Sequence, residues 1–510
     1  MSESTLQAAA VPESTVSEPP PQRRARIPAP IRRHPWWIGS ACLVLFSFLL
    51  IRWAGTRPGY DPYGWLIWGY QTLHLSLDLG GAPSWKPLTW LFDVPFSLFG
   101  HSLSLWLWMV TSVSIALAGS IFAGRLSYRL SRLAGVEHHA AIVAGLFAGA
   151  CLLGIEDYFH YLMSVQSDPM IVTFCLAAID CHLAGRYRWA LALGVLAALG
   201  RPEAWPWIGL YGIWLWRRFP SMRWLVAGGL ALIPALWFGI PTITNGRPFV
   251  AGQLALLSPR ELHQNKIIGT LHRFTALQYL PVQVLALVTI AVAWWRRNWT
   301  LLILAGGAVG WLIIELAFVL HGWPGVPRYL FEPAGVMIVL AGVAIGWILQ
   351  EAPKLRRHRL PAWTGILVVG LIVASLVPGA ISRARKEHKD IAHERERTTV
   401  IGRLVSTLNA VGGQQRVRYC GHPVTTVEYV SILAWYTNLN DGVVGHRPKF
   451  ELKQKQPSVF FEPLHSGWSV LPWHSAANKT ATCAALKKSF IYNRRRPNGV
   501  LVHYIPAPFL

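Results

Sequence analysis

Apolar runs recur along the chain at about 36–53, 103–124, 138–155, 168–184, 189–200, 204–216, 224–242, 275–295, 299–319, 328–349 and 361–379. A bilayer-crossing helix needs roughly 20 mostly apolar residues, so the pattern predicts eleven membrane helices. The runs 189–200 and 204–216 are short and read as a tilted or broken pair. Residues 1–35 carry Pro, Ser, Glu and Arg without an apolar face, which predicts a disordered tail.

Beyond the last run the pattern changes. "RARKEHKDIAHERERTTVIGRLVSTLNAV" predicts a helix with charges on one face and Ile401, Leu404, Leu408 and Val411 on the other. The β-branched stretches "VRYCG", "VEYVSILAWYT", "PSVFFE" and "GVLVHYI", split by Gly, Pro and Asn, predict strands. The expected fold class is an α-helical polytopic membrane protein, with about eleven transmembrane helices and a small C-terminal α/β or α+β domain. The expected units are a tail (1–35), a membrane domain (36–382) and a C-terminal domain (383–510). No internal repeat is visible.

Composition agrees with the hydropathy pattern. Of 510 residues, 53% are hydrophobic and only 14% charged, against about a quarter charged in soluble domains. The net charge of +23 would suggest nucleic acid, but its placement points to a membrane instead. With the N-terminus inside, nineteen Lys and Arg fall on the cytoplasmic side, in clusters such as Arg125, Arg129 and Arg132, and nine fall in the outside loops between the runs. That is the sign of the positive-inside rule. The expected location is the plasma membrane, multi-pass, with the N-terminus cytoplasmic and the C-terminal domain extracytoplasmic; membrane lipids are partners and nucleic acid is not. The first apolar run is long and lacks a small-residue cleavage pattern, so it reads as an uncleaved anchor. Cys42, Cys151, Cys175 and Cys181 lie in or beside apolar runs, whereas Cys420 and Cys483 fall outside the membrane, where a disulfide between them is expected.

Two outer loops are large, 54–102 and 243–274, and loops of that length in a compact protein are usually functional. In the first, "YGWLIWGYQTLHLSLDL" sets Trp65, Ile67, Trp68 and Leu73 for lying along the membrane surface. The second carries "SPRELHQNKIIGTLHRF". Charged groups near membrane depth are costly and mark function by default. Asp61, Asp78, Lys86, Glu156, Asp157, His160, Asp168, Arg201, Glu203, Arg328 and Glu332 gather at the outer ends of the runs, with Glu137, Asp180, Glu315 and Glu351 as the main exceptions among the acids. The outer face is therefore the expected working face.

"GYDPYGW", holding Asp61, is followed about 25 residues later by "SWKPLTWLF", holding Lys86. In this pair the chain resembles the GT-C superfamily of multispanning glycosyltransferases, which includes protein O-mannosyltransferases, the lipid A aminoarabinose transferase and the mycobacterial arabinofuranosyltransferases. The chain has a single Asp where an acidic pair is common, and one Pro where the aminoarabinose transferase pattern has two. "SVQSDPMIVTFCLAAIDCHLAGRYRWALALGVLAALGRPEAWPW" (164–207) and "VPRYLFEPAG" (326–335) follow the same order of features. The resemblance covers about 36–350. It implies a hexosyl- or pentosyltransferase with a polyprenyl-phosphate sugar donor and an extracytoplasmic polysaccharide, glycolipid or protein acceptor.

The residue chemistry fits this independently. Moving a sugar from phosphate to a hydroxyl needs a base, for which Asp61 is the candidate. The leaving phosphate needs cations, for which Lys86, with Arg201 or Arg328, are the candidates. Glu156, Asp157, Asp168 and Glu203 are candidates for orienting an acceptor or holding a divalent cation; metal dependence is open, since the superfamily contains both kinds of member. Each residue also has a plainer role. Asp61 can cap a helix, Lys86 can snorkel to the interface, and Glu156 and Asp157 can end a span. Arg201 can pair with Glu203, and Arg328 can anchor at headgroup level. His160, His263 and His272 read as loop residues without zinc-ligand spacing. "NRRRP" (493–497) suits contact with anionic lipid or glycan.

Two rivals remain. A transporter or flippase of a lipid-linked anion would also line a cavity with charge. Such folds often show inverted repeats and broken helices at the midplane, whereas this chain has no repeat and gathers its acids on one side. A non-catalytic assembly partner would act through the C-terminal domain.

Overall fold

The computed structural model describes residues 35–81, 85–256, 262, 265–354, 363–446, 456–464, 467–473, 481–491 and 500–502. Every one of the eleven apolar runs is helical, but the helices differ in length. Six are long and apolar enough to cross a membrane, and seven if Lys266–Ala276 and Leu280–Trp295, bent by 100°, make one broken span. The expected eleven full spans are therefore not reached among the described residues. His138–Leu153 and Asp168–Leu183 have 16 residues each, and Tyr187–Gly200 and Trp205–Arg218 have 14. At about 1.5 Å per residue these helices fall short of a hydrocarbon core of about 30 Å.

Small residues let the helices approach closely, as expected where lipid tails remove any hydrophobic drive between them. Where His101–Leu133 crosses His138–Leu153, a Cβ on Gly124 would come within 2.9 Å of the Gly145 carbonyl oxygen, and Ser120 Oγ donates to the Gly149 carbonyl at 2.6 Å. At one end of the bundle Arg125 and Arg129 reach Asp180, at 3.0 and 3.4 Å. The Gln350 side chain joins the same end, accepting from the Glu137 amide at 2.8 Å.

The loop 54–102 holds the opposite end. It forms the helices Tyr60–Leu73 and Pro87–Ser97. Here one expectation is overturned: Trp65 and Trp68 do not lie on a membrane surface, since each is only 1% exposed. Trp65 meets Trp108 edge-on at 5.6 Å, and Trp68 packs on Trp85 at 5.1 Å. Their neighbours Trp85 and Trp90 are fixed in turn, Trp85 Nε1 donating to the Leu236 carbonyl at 3.0 Å and Trp90 Nε1 to Thr72 Oγ1 at 2.9 Å. The two loop helices cross at Gly69, where a Cβ would come within 2.5 Å of the Asp93 carbonyl oxygen.

The last apolar run continues into a 47-residue helix, Thr364–Ala410, which passes residue 383 without a break. Its first half exposes Ile366, Leu371 and Val377, as a lipid-facing surface does, and its second half is highly charged. Ile401, Leu404, Leu408 and the following Val411 are buried, as the pattern predicts.

A five-stranded sheet follows, in the order β1-β2-β3-β4-β5. β1 (His422–Val424) runs parallel to β2 (Ser458–Leu464); β3 (Gly467–Trp473), β4 (Lys488–Ile491) and β5 (Val500–Val502) continue antiparallel. Two predicted strands are helices instead. "VRYCG" ends the helix Gly413–Cys420, and "VEYVSILAWYT" forms a 3-10 turn and the helix Val430–Thr437. The latter is buried on nearly all sides, so it shows no polar face and its β-branched residues imitate a strand. Cys420 and Cys483 form a disulfide with Cα atoms 5.6 Å apart. "NRRRP" (493–497) and His263 lie outside the described residues.

Candidate active site

The end of the bundle opposite Asp180 collects charges from five segments. Asp61 lies in the first turn of Tyr60–Leu73, just after the first membrane helix. Lys86 precedes the first turn of Pro87–Ser97, where Pro87 sets the helical start. Asp168 opens the helix Asp168–Leu183, Arg201 closes Tyr187–Gly200, and Arg328 lies in the 3-10 turn Pro327–Leu330 that enters the span Phe331–Lys354. Helix termini are where a bundle can place side chains of opposite sign together without interrupting an apolar run.

Asp168 is the hub. It is fully buried and meets three cations: Arg201 through a hydrogen bond, Lys86 at 3.9 Å and Arg328 at 3.8 Å. Arg201 also donates to Glu203 at 3.4 Å and lies 3.6 Å from Glu332. Its guanidinium is 4.0 Å from the Tyr329 ring centroid. Lys86 Nζ donates to Ser167 Oγ at 3.0 Å and sits 5.4 Å from the Trp65 ring. Arg328 reaches Asp61 at 3.8 Å and lies over Tyr161 and Tyr329.

The three cations are not equivalent. Arg201 is ringed by three carboxylates, two of which accept hydrogen bonds from its Nη atoms, and its side chain is 4% exposed, although its Nε has no hydrogen-bond partner among the described residues. Lys86 and Arg328, at 16% and 12%, approach acids at ion-pair distances without a direct hydrogen bond to them among the described residues. The buried Nε of Arg328 has no hydrogen-bond partner there. A buried donor left without an acceptor is costly, and an anion at this point would satisfy it. Burial pushes the Lys86 ammonium below the ordinary lysine value, while Asp168 pulls it back up.

The backbone leading into the hub is strained. Val165, three residues before Asp168, has φ of 62°, an outlier for a β-branched residue that costs of order 1–3 kcal/mol. Such strain is commonly retained at functional sites.

The fold has a counterpart among solved structures. ArnT from Cupriavidus metallidurans bound to undecaprenyl phosphate is similar over 90% of this chain and 96% of that one, at 15% identity and a TM-score of 0.50. This chain has the fold of that protein. ArnT of the same organism in the apo state matches 84% of this chain and 93% of that one, at 14% identity and a TM-score of 0.49. No family model matches the chain, and neither does any curated protein sequence.

Within this fold, the residues singled out from sequence fall into two groups. Asp61, Lys86, Asp168, Arg201, Glu203 and Arg328 are brought together. Glu156 and Asp157 are not part of that cluster of ion pairs. Glu156 pairs with Arg383 at 2.6 Å and with Lys386 at 2.6 Å, and Asp157 with Lys386 at 2.5 Å, all on the long helix. Among the described residues no group of three or more His, Cys, Asp or Glu is set to hold a metal ion.

The structure adds Ser167, Tyr161, Tyr329 and Glu315 to the neighbourhood. Glu315, buried in the span Trp299–Leu320, faces Glu203. It was legible as an isolated acid in an otherwise apolar run. Tyr329 follows Arg328 directly in "VPRYLF", while nothing in the sequence marks Tyr161 or Ser167 as cation partners.

Proposed function

We propose that this protein is an integral membrane glycosyltransferase. It moves a sugar from a polyprenyl-phosphate donor to a hydroxyl of an extracytoplasmic glycan, glycolipid or protein. The observation that carries this reading is the link from Asp61 through Arg328 to Asp168, Lys86 and Arg201, at one end of a GT-C bundle. The charge bias of the loops supports reading that end as the outer one, with the site facing away from the cytoplasm.

In the reaction the acceptor hydroxyl oxygen attacks the anomeric carbon. Its bond to that carbon forms as the bond from carbon to phosphate oxygen breaks, with inversion. Asp61 accepts the hydroxyl proton, and polyprenyl phosphate departs with the electron pair. Lys86 and Arg328 neutralise the phosphate, being the more exposed cations and free of direct hydrogen bonds to the acids among the described residues, while Arg201 holds Asp168 in place. Without a donor, Arg328 screens Asp61. A phosphate that takes over Arg328 competes with this ion pair and frees the Asp61 carboxylate for the acceptor hydroxyl.

The test is sugar transfer by reconstituted protein from labelled polyprenyl-phosphate donors. Asp61→Ala is expected to lower kcat by about a thousandfold, within the range for losing a general base. Full activity in that variant removes Asp61 from its role. Absence of transfer by the natural chain from every donor tried overturns the whole reading.

A further inference from the structure

Asp61 is carried by a short helix whose entry segment, 57–59, spans the gap from the first membrane helix. This segment is gripped from two directions. On one side, the Gly59 amide donates to the Ser164 carbonyl at 3.2 Å, tying it to the stretch that leads to Ser167 and Asp168. On the other lies the charged half of the helix Thr364–Ala410. Arg397 Nη2 donates to the Arg57 and Pro58 carbonyls at 3.1 and 3.0 Å, and the Arg57 amide donates to Thr398 Oγ1 at 2.7 Å. One turn of neighbouring side chains adds Arg395, which donates to the Ala54 and Trp53 carbonyls at 2.5 and 2.9 Å.

Arg397 is itself fixed. Its Nε donates to Glu394 Oε2 at 2.8 Å, and its side chain is 11% exposed. A guanidinium held by a carboxylate on its own helix and aimed at two successive carbonyls leaves the entry segment little freedom. These carbonyls lie only three and four residues before Asp61.

We infer that Arg397 is a positioning residue for transfer: it sets where Asp61 stands relative to Arg328 and the donor, acting through the backbone of Arg57 and Pro58. This rests on the glycosyltransferase reading above for its chemistry, but not for its geometry. Donor phosphate is held by Lys86 and Arg328, which Arg397 does not touch, so the loss should appear in kcat and not in donor KM. A displacement near 1 Å can cost about a hundredfold in rate.

The experiment uses the full chain in nanodiscs, with kinetics and hydrogen exchange of the peptide 53–66 measured on the same samples. Arg397→Gln is expected to lower kcat roughly ten- to a hundredfold, to leave donor KM within about threefold, and to speed exchange of 53–66. Arg397→Lys, which keeps a charged donor, is expected to recover part of both. As a control, Arg416→Gln removes a 2.8 Å hydrogen bond to the Thr482 carbonyl elsewhere on the chain and is expected to change neither reading. Unchanged kcat in Arg397→Gln overturns the inference. So does lost kcat with unchanged exchange at 53–66, or a general rise in exchange that Arg397→Lys does not reverse. If the natural chain transfers nothing, the functional reading fails, and the exchange data alone decide whether Arg397 sets the segment.

Discussion

At the scale of single residues, exposure and direct hydrogen bonds to carboxylates separate two cations from a third. Arg201 is occupied by Asp168, Glu203 and Glu332, whereas Lys86 has one hydrogen bond, to Ser167, and otherwise approaches acids at ion-pair range. A lysine must be protonated to hold phosphate. Burial lowers the Lys86 ammonium, Arg201 and Arg328 push it the same way, and Asp168 and Asp61 oppose them. The net shift is downward, so the proton is lost at lower pH than from an ordinary lysine, near 10.4. The alkaline fall of kcat/KM for the donor, which reports the free enzyme, should therefore lie below that value. Lys86→Arg keeps the charge to far higher pH and should move this limb upward even where its peak rate is reduced. A limb that stays in place in Lys86→Arg assigns it to another group.

At the scale of elements, the crossing of the two loop helices controls where both Asp61 and Lys86 sit. The crossing is tight at Gly69, and beside it Asp93 is fully buried, its two carboxylate oxygens without a hydrogen-bond partner among the described residues. Burial pushes the Asp93 carboxyl well above the usual carboxylate range, so the folded protein carries it neutral. In the unfolded chain it ionises near pH 3.9. Above that pH the folded state holds a proton that the unfolded state has released, so the contribution of this site to stability is complete at low pH and declines as pH rises toward the folded value. Asp93→Asn removes the titration. Melts in detergent at pH 5 and pH 8 should show the variant gaining on the natural chain at the higher pH. Parallel pH dependence in the two proteins would rule out a neutral Asp93.

At the scale of the whole molecule, the helices and the polar cluster were legible for different reasons. Long apolar runs announce helices whatever their neighbours, and acids or bases at run ends are rare enough in lipid to stand out, which is how Asp61, Lys86, Asp168, Arg201 and Arg328 could be found. Their division into a hub, an anchor and two available cations was not legible, because it depends on which termini meet. The placing of Trp65 and Trp68 failed because interfacial and buried indoles look alike in sequence. Glu156 and Asp157 lie in the turn between the helices His138–Leu153 and Tyr158–Met163, and their partners Arg383 and Lys386 lie more than two hundred residues away. The helix that carries these partners, and Arg397, leads directly into the region closed by the Cys420–Cys483 disulfide, with a sequence separation of 63 residues. Closing a loop of that length removes chain entropy from the unfolded state worth about 4 kcal/mol in the loop-closure model. Cys420 and Cys483 lie beyond the contacts of the long helix with the site, so the double variant Cys420→Ser/Cys483→Ser should loosen the sheet first. Hydrogen exchange is expected to rise across β1 to β3 while peptides 53–66 and 383–398 keep their protection, and transfer at low temperature should survive. Equal loss of protection in both regions would show instead that sheet and long helix unfold as one unit, and that the disulfide supports the site as well.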